Sequence, residues 1–302
     1  MFLKNKKIYI AGCGGMLGEA FYNHFKVSNN LLCTDISVSD DWLSYMDMRD
    51  KDKYFQDVLK YDPDYLFHLG AITNLEECEE DQNNAYLTNL IAVENACAIS
   101  NHFNIPILFI STAGIFDGKK EEYDDWDQPN PLGIYAKTKY LAENHVQSIC
   151  NKFIICRAGW MMGGGEKKDK KFVNKIISQI KSGKKILNIV NDKFGTPTYT
   201  YDFAKNADLI ISKGLFGLFN LVCEGLTSRE EVAKEILEIL NLEKEIKINL
   251  VKSEFFKKDY YAPRPPSERL INKKLNLRKL NIMRNWKDCL KEYIVKDYNE
   301  NE

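Results

Sequence analysis

Ile8-Tyr9-Ile10-Ala11-Gly12-Cys13-Gly14-Gly15-Met16-Leu17-Gly18 is the stretch that decides the fold. Its apolar start reads as a strand, and Met16 to Lys26 reads as a helix. Between them the glycines at 12, 15 and 18 make a GxxGxxG turn. Three demands explain glycine there. The chain turns tightly, the backbone lets a phosphate come close, and the helix packs hard on the strand; each step excludes a Cβ. The helix start then offers free N–H groups and the positive end of its dipole. A glycine pattern alone is weak, but an acidic residue, Asp35, ends the next apolar run 17 positions after Gly18. A carboxylate there can accept hydrogen bonds from ribose hydroxyls and repels a 2′-phosphate. The stretch thus predicts a dinucleotide, NAD(H) or NADP(H), with Asp35 tilting toward NAD. Gly12, Gly15, Met16, Leu17, Gly18 and Asp35 are its expected contacts.

Outward from the turn the pattern repeats. Strands are expected at Leu31 to Thr34, Tyr65 to Leu69, Pro106 to Ile110 and Phe153 to Cys156. Helices are expected at Lys51 to Lys60, Asn84 to His102 and Ile134 to Ile149. Strands alternating with helices of this length need crossover connections, so the fold class is α/β, a Rossmann-type doubly wound parallel sheet. Beyond this region the order loosens. Helices are expected at Phe172 to Lys181, Phe203 to Ser212, Ser228 to Leu240 and Trp286 to Val295, with a strand at Ile246 to Val251. Ala262-Pro263-Arg264-Pro265-Pro266 must be an extended loop. The division expected is residues 1–158 for the dinucleotide domain, with about 187–222 returning to it, and 159–302 for a smaller, irregular α/β lobe.

Tyr135-Ala136-Lys137-Thr138-Lys139 is a YxxxK pair, which at i, i+4 lies on one face of a helix. A lysine ammonium beside a tyrosine stabilises phenolate and lowers its pKa. The pair by itself is common. Its context is the strand that ends in Ser111-Thr112, where a hydroxyl can share a substrate carbonyl with the tyrosine. Thr112, Tyr135 and Lys139 form the expected catalytic set.

Composition narrows the partners. Forty-two basic and forty-three acidic residues among 302 leave a net charge of -1, which gives no electrostatic case for nucleic acid or an acidic membrane. No apolar run approaches the length of a transmembrane helix and no leader peptide is evident, so a cytoplasmic location is expected. The eight cysteines show no CxxC or zinc spacing and read as reduced thiols. No metal is expected. His24, His102 and His145 read as surface or boundary residues and His68 as a satisfied core histidine. The acidic run Glu76 to Asp81 reads as a solvated loop and helix start.

Together the glycine turn, Ser111-Thr112, Tyr135 and Lys139 resemble the extended short-chain dehydrogenase/reductases. His68-Leu69-Gly70-Ala71 is similar to their segment running under the cofactor. Asp47-Met48 is similar to the pair beside the adenine, and Asn89 to the asparagine that supports the active-site fold. The resemblance adds Asp47, Met48, Leu69, Gly70, Ala71, Asn89, Tyr135 and Lys139 to the cofactor side. Arg157-Ala158-Gly159-Trp160, Asn191-Asp192-Lys193-Phe194-Gly195-Thr196-Pro197-Thr198 and Arg264-Pro265 resemble dTDP-4-dehydrorhamnose reductases. That family implies reduction of the 4-keto group of a nucleotide-linked deoxysugar. Thr112 would orient the keto oxygen, Tyr135 donate the proton, and Lys139 hold the ribose and tune Tyr135. Trp160 would stack on or wall the sugar, Arg264 would pair with the pyrophosphate, and Thr73 joins them on the substrate side. A homodimer stays open.

The chain also departs from that family. Ala113-Gly114 stands where the reductases usually have Asp-Tyr, and Met161-Met162 and Ser267-Glu268-Arg269 differ too. The 4,6-dehydratases need an Asp-Glu pair after the threonine, which is missing. Fucose-synthase-type epimerases use a Cys and a His, and neither lies in the matching region. Two readings compete with reduction: a non-catalytic dinucleotide-binding regulatory subunit, and a sugar-nucleotide epimerase of the same superfamily.

Overall fold

Along the first strand, β1 (Lys7–Ala11), alternate side chains enter two different apolar clusters. Ile8 and Ile10 join one, Tyr9 and Ala11 the other, and all four are fully buried. A strand covered on both faces belongs inside a parallel sheet. The computed structural model, which describes residues 2–298, places it there.

In chain order the first half continues with α1 (Met16–Phe25), β2 (Asn30–Asp35), β3 (Leu43–Tyr45), α2 (Lys51–Tyr61), β4 (Tyr65–His68), α3 (Leu75–Glu80) and α4 (Gln82–Tyr86). A π-turn over Leu87–Ile91 leads into α5 (Ala92–Phe103), β5 (Ile107–Thr112), α6 (Ile134–Ile149) and β6 (Phe153–Ala158). The second half holds β7 (Trp160–Met162), α7 (Gly165–Lys168), α8 (Phe172–Lys181), β8 (Ile186–Val190), β9 (Phe194–Gly195), β10 (Pro197–Tyr199) and α9 (Thr200–Ser212). It ends with β11 (Gly217–Asn220), β12 (Thr227–Ser228), α10 (Arg229–Ile239), β13 (Lys247–Val251), β14 (Ser267–Glu268), α11 (Lys273–Leu277) and α12 (Trp286–Tyr298).

Seven strands form one sheet in the order β11-β6-β5-β4-β1-β2-β3. Every neighbouring pair is parallel. The order reverses between β1 and β4, which places a crevice at the carboxyl ends of these two strands, where open α/β sheets take ligands. Both faces of the sheet are covered. On one, Phe21, Phe25 and Phe203 of α1 and α9 meet Ile8, Ile10 and Phe67. On the other, Tyr54, Val93, Ala96, Ala142 and Val146 of α2, α5 and α6 meet Tyr9, Leu66, Phe109 and Ile155. The first cluster runs on without a break into Trp286, Leu290 and Tyr293 of α12.

Three small sheets build the second half: β12-β9-β14, β10-β7 and β13-β8. Their strands are two to five residues long, too short for a periodic signal, and so had no mark in the sequence beyond β13. The expected single helix over Asn84 to His102 is instead α4, the π-turn and α5 in succession. All eight cysteines are buried free thiols. No helix of the described residues is long and apolar enough to cross a membrane.

Candidate active site

Gly12 and Gly18 show why the turn needs glycine. Gly12 has φ +73°, and a Cβ on it would strike the Gly70 backbone; one on Gly18 would strike the Cys13 carbonyl. The loops after β1 and β4 are thereby pressed together, and Leu69 N–H donates to the Ala11 carbonyl at 2.9 Å. Gly15 faces open space. It caps α1 without any side-chain hydrogen bond, so the first N–H groups of that helix stay free for an anion. Asp35 accepts from Gly14 N–H at 2.8 Å and from Ser37 N–H at 2.9 Å. These features fit a dinucleotide: a turn stripped of side chains, helix N–H groups with no side-chain cap and a carboxylate at the end of β2. Met48 lies against Gly70. Asp47 is bound by Arg49 at 2.6 and 2.8 Å, and Arg49 also donates to Asn84 at 3.0 Å. The local spacing of Asp47 and Arg49 gave no reason to single out that arginine.

Asn89, expected both among the cofactor contacts and as a support of the active-site fold, turns its side chain to the protein. It sits in the π-turn, accepts from Ile72 N–H at 2.8 Å, and donates to the Ile72 carbonyl at 3.0 Å and to Thr138 Oγ1 at 3.3 Å. These bonds brace the loop after β4 against α6. π-turns inside helices are frequent at functional sites, where they re-aim one residue.

Thr112 ends β5, and Tyr135 and Lys139 lie one turn apart on α6. The Thr112 hydroxyl accepts from Gly114 N–H at 3.1 Å and lies beside the Tyr135 phenol. Burial pushes the Tyr135 phenol up to about 12, with the Thr112 hydroxyl pulling it down and the Glu268 charge adding to the rise. The same burial pushes the Lys139 ammonium down to about 7, against the attraction of Glu143. Lys139 Nζ stands 4.2 Å from the centre of the Phe109 ring. Lys139 is not among the groups that set the Tyr135 phenol in this arrangement; burial dominates. Below them His68 is fully buried and held near 3 by burial and by the charge of Lys139. Its Nδ1 meets Tyr54 at 3.4 Å, but Nε2 has no partner, so this histidine is only half satisfied.

On the substrate side each of three expected residues has a partner within the protein. Trp160 does not offer an open ring: Arg229 covers it at 3.6 Å, the indole lies against Gly195, and its N–H donates to Glu268 at 2.6 Å. Arg264 is not a free cation, because both ends of its fork bind Glu76, at 2.7 and 2.8 Å. Thr73 receives Lys171 Nζ on its hydroxyl at 3.0 Å. The acidic run also does more than face solvent. Besides the Glu76 pair, Glu79 accepts from Ile134 N–H at 2.8 Å and so caps the helix that carries Tyr135.

The sequence profile of the RmlD substrate binding domain family matches residues 6–299. The chain belongs to that family. It is 27% identical over 289 residues to the spore coat polysaccharide biosynthesis protein SpsK of Bacillus subtilis (strain 168), covering 95% of this chain and 96% of that protein. A dTDP-4-dehydrorhamnose reductase of Clostridium acetobutylicum is 31% identical and superposes with a TM-score of 0.86 over 95% of this chain and 98% of its own. The dTDP-4-dehydrorhamnose reductase of Bacillus anthracis, solved in complex with NADP, is 25% identical, with a TM-score of 0.88 over 97% and 99%. The RmlD family assignment thus spans both halves of the chain.

Within this RmlD-type framework two residues near the site were given no role by the sequence. Arg229 opens α10 with its guanidinium between the Trp160 and Phe172 rings, where burial pulls it down to about 10. Glu268 reaches the Thr112 side of the site from β14.

Proposed function

We propose that this chain reduces the 4-keto group of a nucleotide-linked 6-deoxyhexose, with Tyr135 as proton donor. It is an NAD(P)-dependent oxidoreductase of the reductase type found among its relatives. The observation that carries the reading is the meeting of the Thr112 hydroxyl and the Tyr135 phenol at the carboxyl end of β5. Bound NADH or NADPH supplies the hydride. Thr112 donates its hydroxyl proton toward the keto oxygen and fixes its direction. Tyr135, kept a neutral phenol by burial, has a proton to give as that oxygen gains charge. Lys139 approaches the resulting phenolate from one helical turn away and binds the ribose hydroxyls. Gly12, Gly15 and Gly18 bring the backbone to the pyrophosphate, and Asp35 meets the adenosine ribose. Arg264 meets the pyrophosphate in exchange for Glu76, and Arg229 and Lys171, for which no ion pair is found among the described residues, add positive charge to that side of the site.

The test is oxidation of NADH or NADPH with dTDP-4-keto-6-deoxyglucose and other nucleotide 4-keto sugars. Turnover is expected, and Tyr135→Phe lowers kcat by about 10²–10⁴ with cofactor affinity kept. Protein that binds cofactor but turns over none of these sugars overturns the reading.

A further inference from the structure

Ala113-Gly114 leaves the ground next to Thr112 almost bare of side chains, and Glu268 occupies it from more than 150 residues away. A Cβ built on Gly114 would lie 3.3 Å from Glu268 Oε1 and 3.5 Å from Thr112 Oγ1. The carboxylate and the threonine hydroxyl therefore border the same space. Glu268 is held there at two levels. Its backbone pairs with Gly195 in the β9–β14 ladder. Its Oε2 accepts the Trp160 N–H at 2.6 Å, a charge-assisted bond, and that indole is fixed between Gly195 and the Arg229 guanidinium. Among the described residues no hydrogen bond reaches Oε1. One oxygen of the carboxylate is thus anchored and the other faces the site, close enough for its charge to act on Tyr135.

We propose that Glu268 is a specificity-determining residue, whose Oε1 accepts a hydrogen bond from the hydroxyl on the sugar carbon next to the reacting carbonyl. The proposal rests on the reading of the chain as a 4-ketoreductase. In a 4-keto-6-deoxyhexose C4 has two neighbours. C5 bears a methyl group and the ring oxygen, and neither donates a hydrogen bond. C3 bears a hydroxyl, so it alone offers a donor beside the ketone. With the keto oxygen held by Thr112 and Tyr135 and the C3 hydroxyl held by Glu268, two adjacent ring positions are fixed. The ring can then present only one face to the hydride. A site built around a charged acceptor also rejects a sugar lacking the donor, because the carboxylate is left in the closed site without its partner. Trp160 is a positioning residue here, since it acts through the carboxylate it anchors.

The test compares dTDP-4-keto-6-deoxyglucose with its 3-deoxy counterpart, using wild-type protein, Glu268→Ala, Glu268→Gln and Trp160→Phe saturated with cofactor. Glu268→Ala is expected to lose about tenfold to a hundredfold in kcat/KM on the 3-hydroxy sugar, the range of a hydrogen bond to a charged group, mostly through KM. On the 3-deoxy sugar that loss shrinks to less than about threefold, since the bond is already missing. Glu268→Gln keeps an acceptor and falls between; Trp160→Phe, which removes the N–H anchor together with part of the indole packed on Gly195 and under Arg229, follows Glu268→Ala more weakly. Unchanged melting temperature and cofactor affinity establish that the variants are folded. Equal losses on both sugars, or no loss on either, overturn the assignment and leave the ketoreductase reading standing. Deuterium from solvent appearing at C3 overturns it too, because Glu268 would then be moving a proton. If the wild-type protein reduces neither sugar, the ketoreductase reading fails and this assignment falls with it.

Discussion

Tyr135 and Lys139 are four residues apart on one helix, yet burial moves them in opposite directions. Removing water disfavours the charged form of each, so the phenol rises to about 12 and the ammonium falls to about 7. For Lys139 this has a direct effect on stability. Its pKa in the folded protein lies below the ordinary 10.5, so between about 7 and 10.5 the unfolded chain binds a proton that the folded chain does not. Stability contributed by this site therefore rises as pH climbs through that window and is lost below pH 7. Lys139→Met removes the effect. Urea unfolding of cofactor-free protein at pH 6.5 and pH 9 is expected to give a larger gain with pH in the wild type than in the variant, and equal gains would contradict a buried Lys139. Asp35 offers a second test at this scale. Without its charge at the end of β2 a 2′-phosphate meets less repulsion, so Asp35→Ala should shift the kcat/KM ratio toward NADPH by about tenfold.

The catalytic helix does not hold itself in place. The residue before α6, Gly133, caps it without a side-chain bond, and Glu79 of α3 supplies the missing acceptor from across the site. Asn89 in the π-turn ties the middle of α6, through Thr138, to the loop after β4. Glu79→Ala removes a cap and is expected to cost about 1 kcal/mol. Asn89→Ala strips buried partners from Ile72 as well, and is expected to cost about 1–3 kcal/mol. Chemical denaturation measures both, and Asn89→Ala should also weaken cofactor binding because the Leu69-Gly70-Ala71 loop is released. The existence of α6 and the phase that puts Tyr135 and Lys139 on one face could be read from spacing. The π-turn could not, because it arises where α5 must accommodate contacts with α6 and with the loop after β4, and no local pattern records that demand.

At the scale of the whole molecule the two halves share one core. β11, from residue 217 onward, completes the edge of the main sheet beside β6, and the cluster containing Ile8 and Phe67 runs on into α12. A chain cut after residue 158 would expose Phe21, Phe25 and Phe67 where α9 now covers them. Such a fragment is expected to show no cooperative thermal transition, whereas the full chain unfolds in one step; calorimetry of both distinguishes the outcomes.

By itself the sequence determined the parallel α/β sheet, the glycine turn, Asp35 at the end of β2 and the placing of Tyr135 and Lys139 one turn apart on α6. Each of these rests on near neighbours: a period of two or 3.6, a tight turn that admits no Cβ, a spacing of four on a helix. Only the tertiary structure decided that Arg264 pairs with Glu76, 188 residues away, and that Trp160 gives its N–H to Glu268 across 108 residues. It also decided that Arg229 covers the indole expected to meet the sugar. Local spacing carries no signal for such partners, because the short strands β7, β9 and β14 bring them together only once the core has formed.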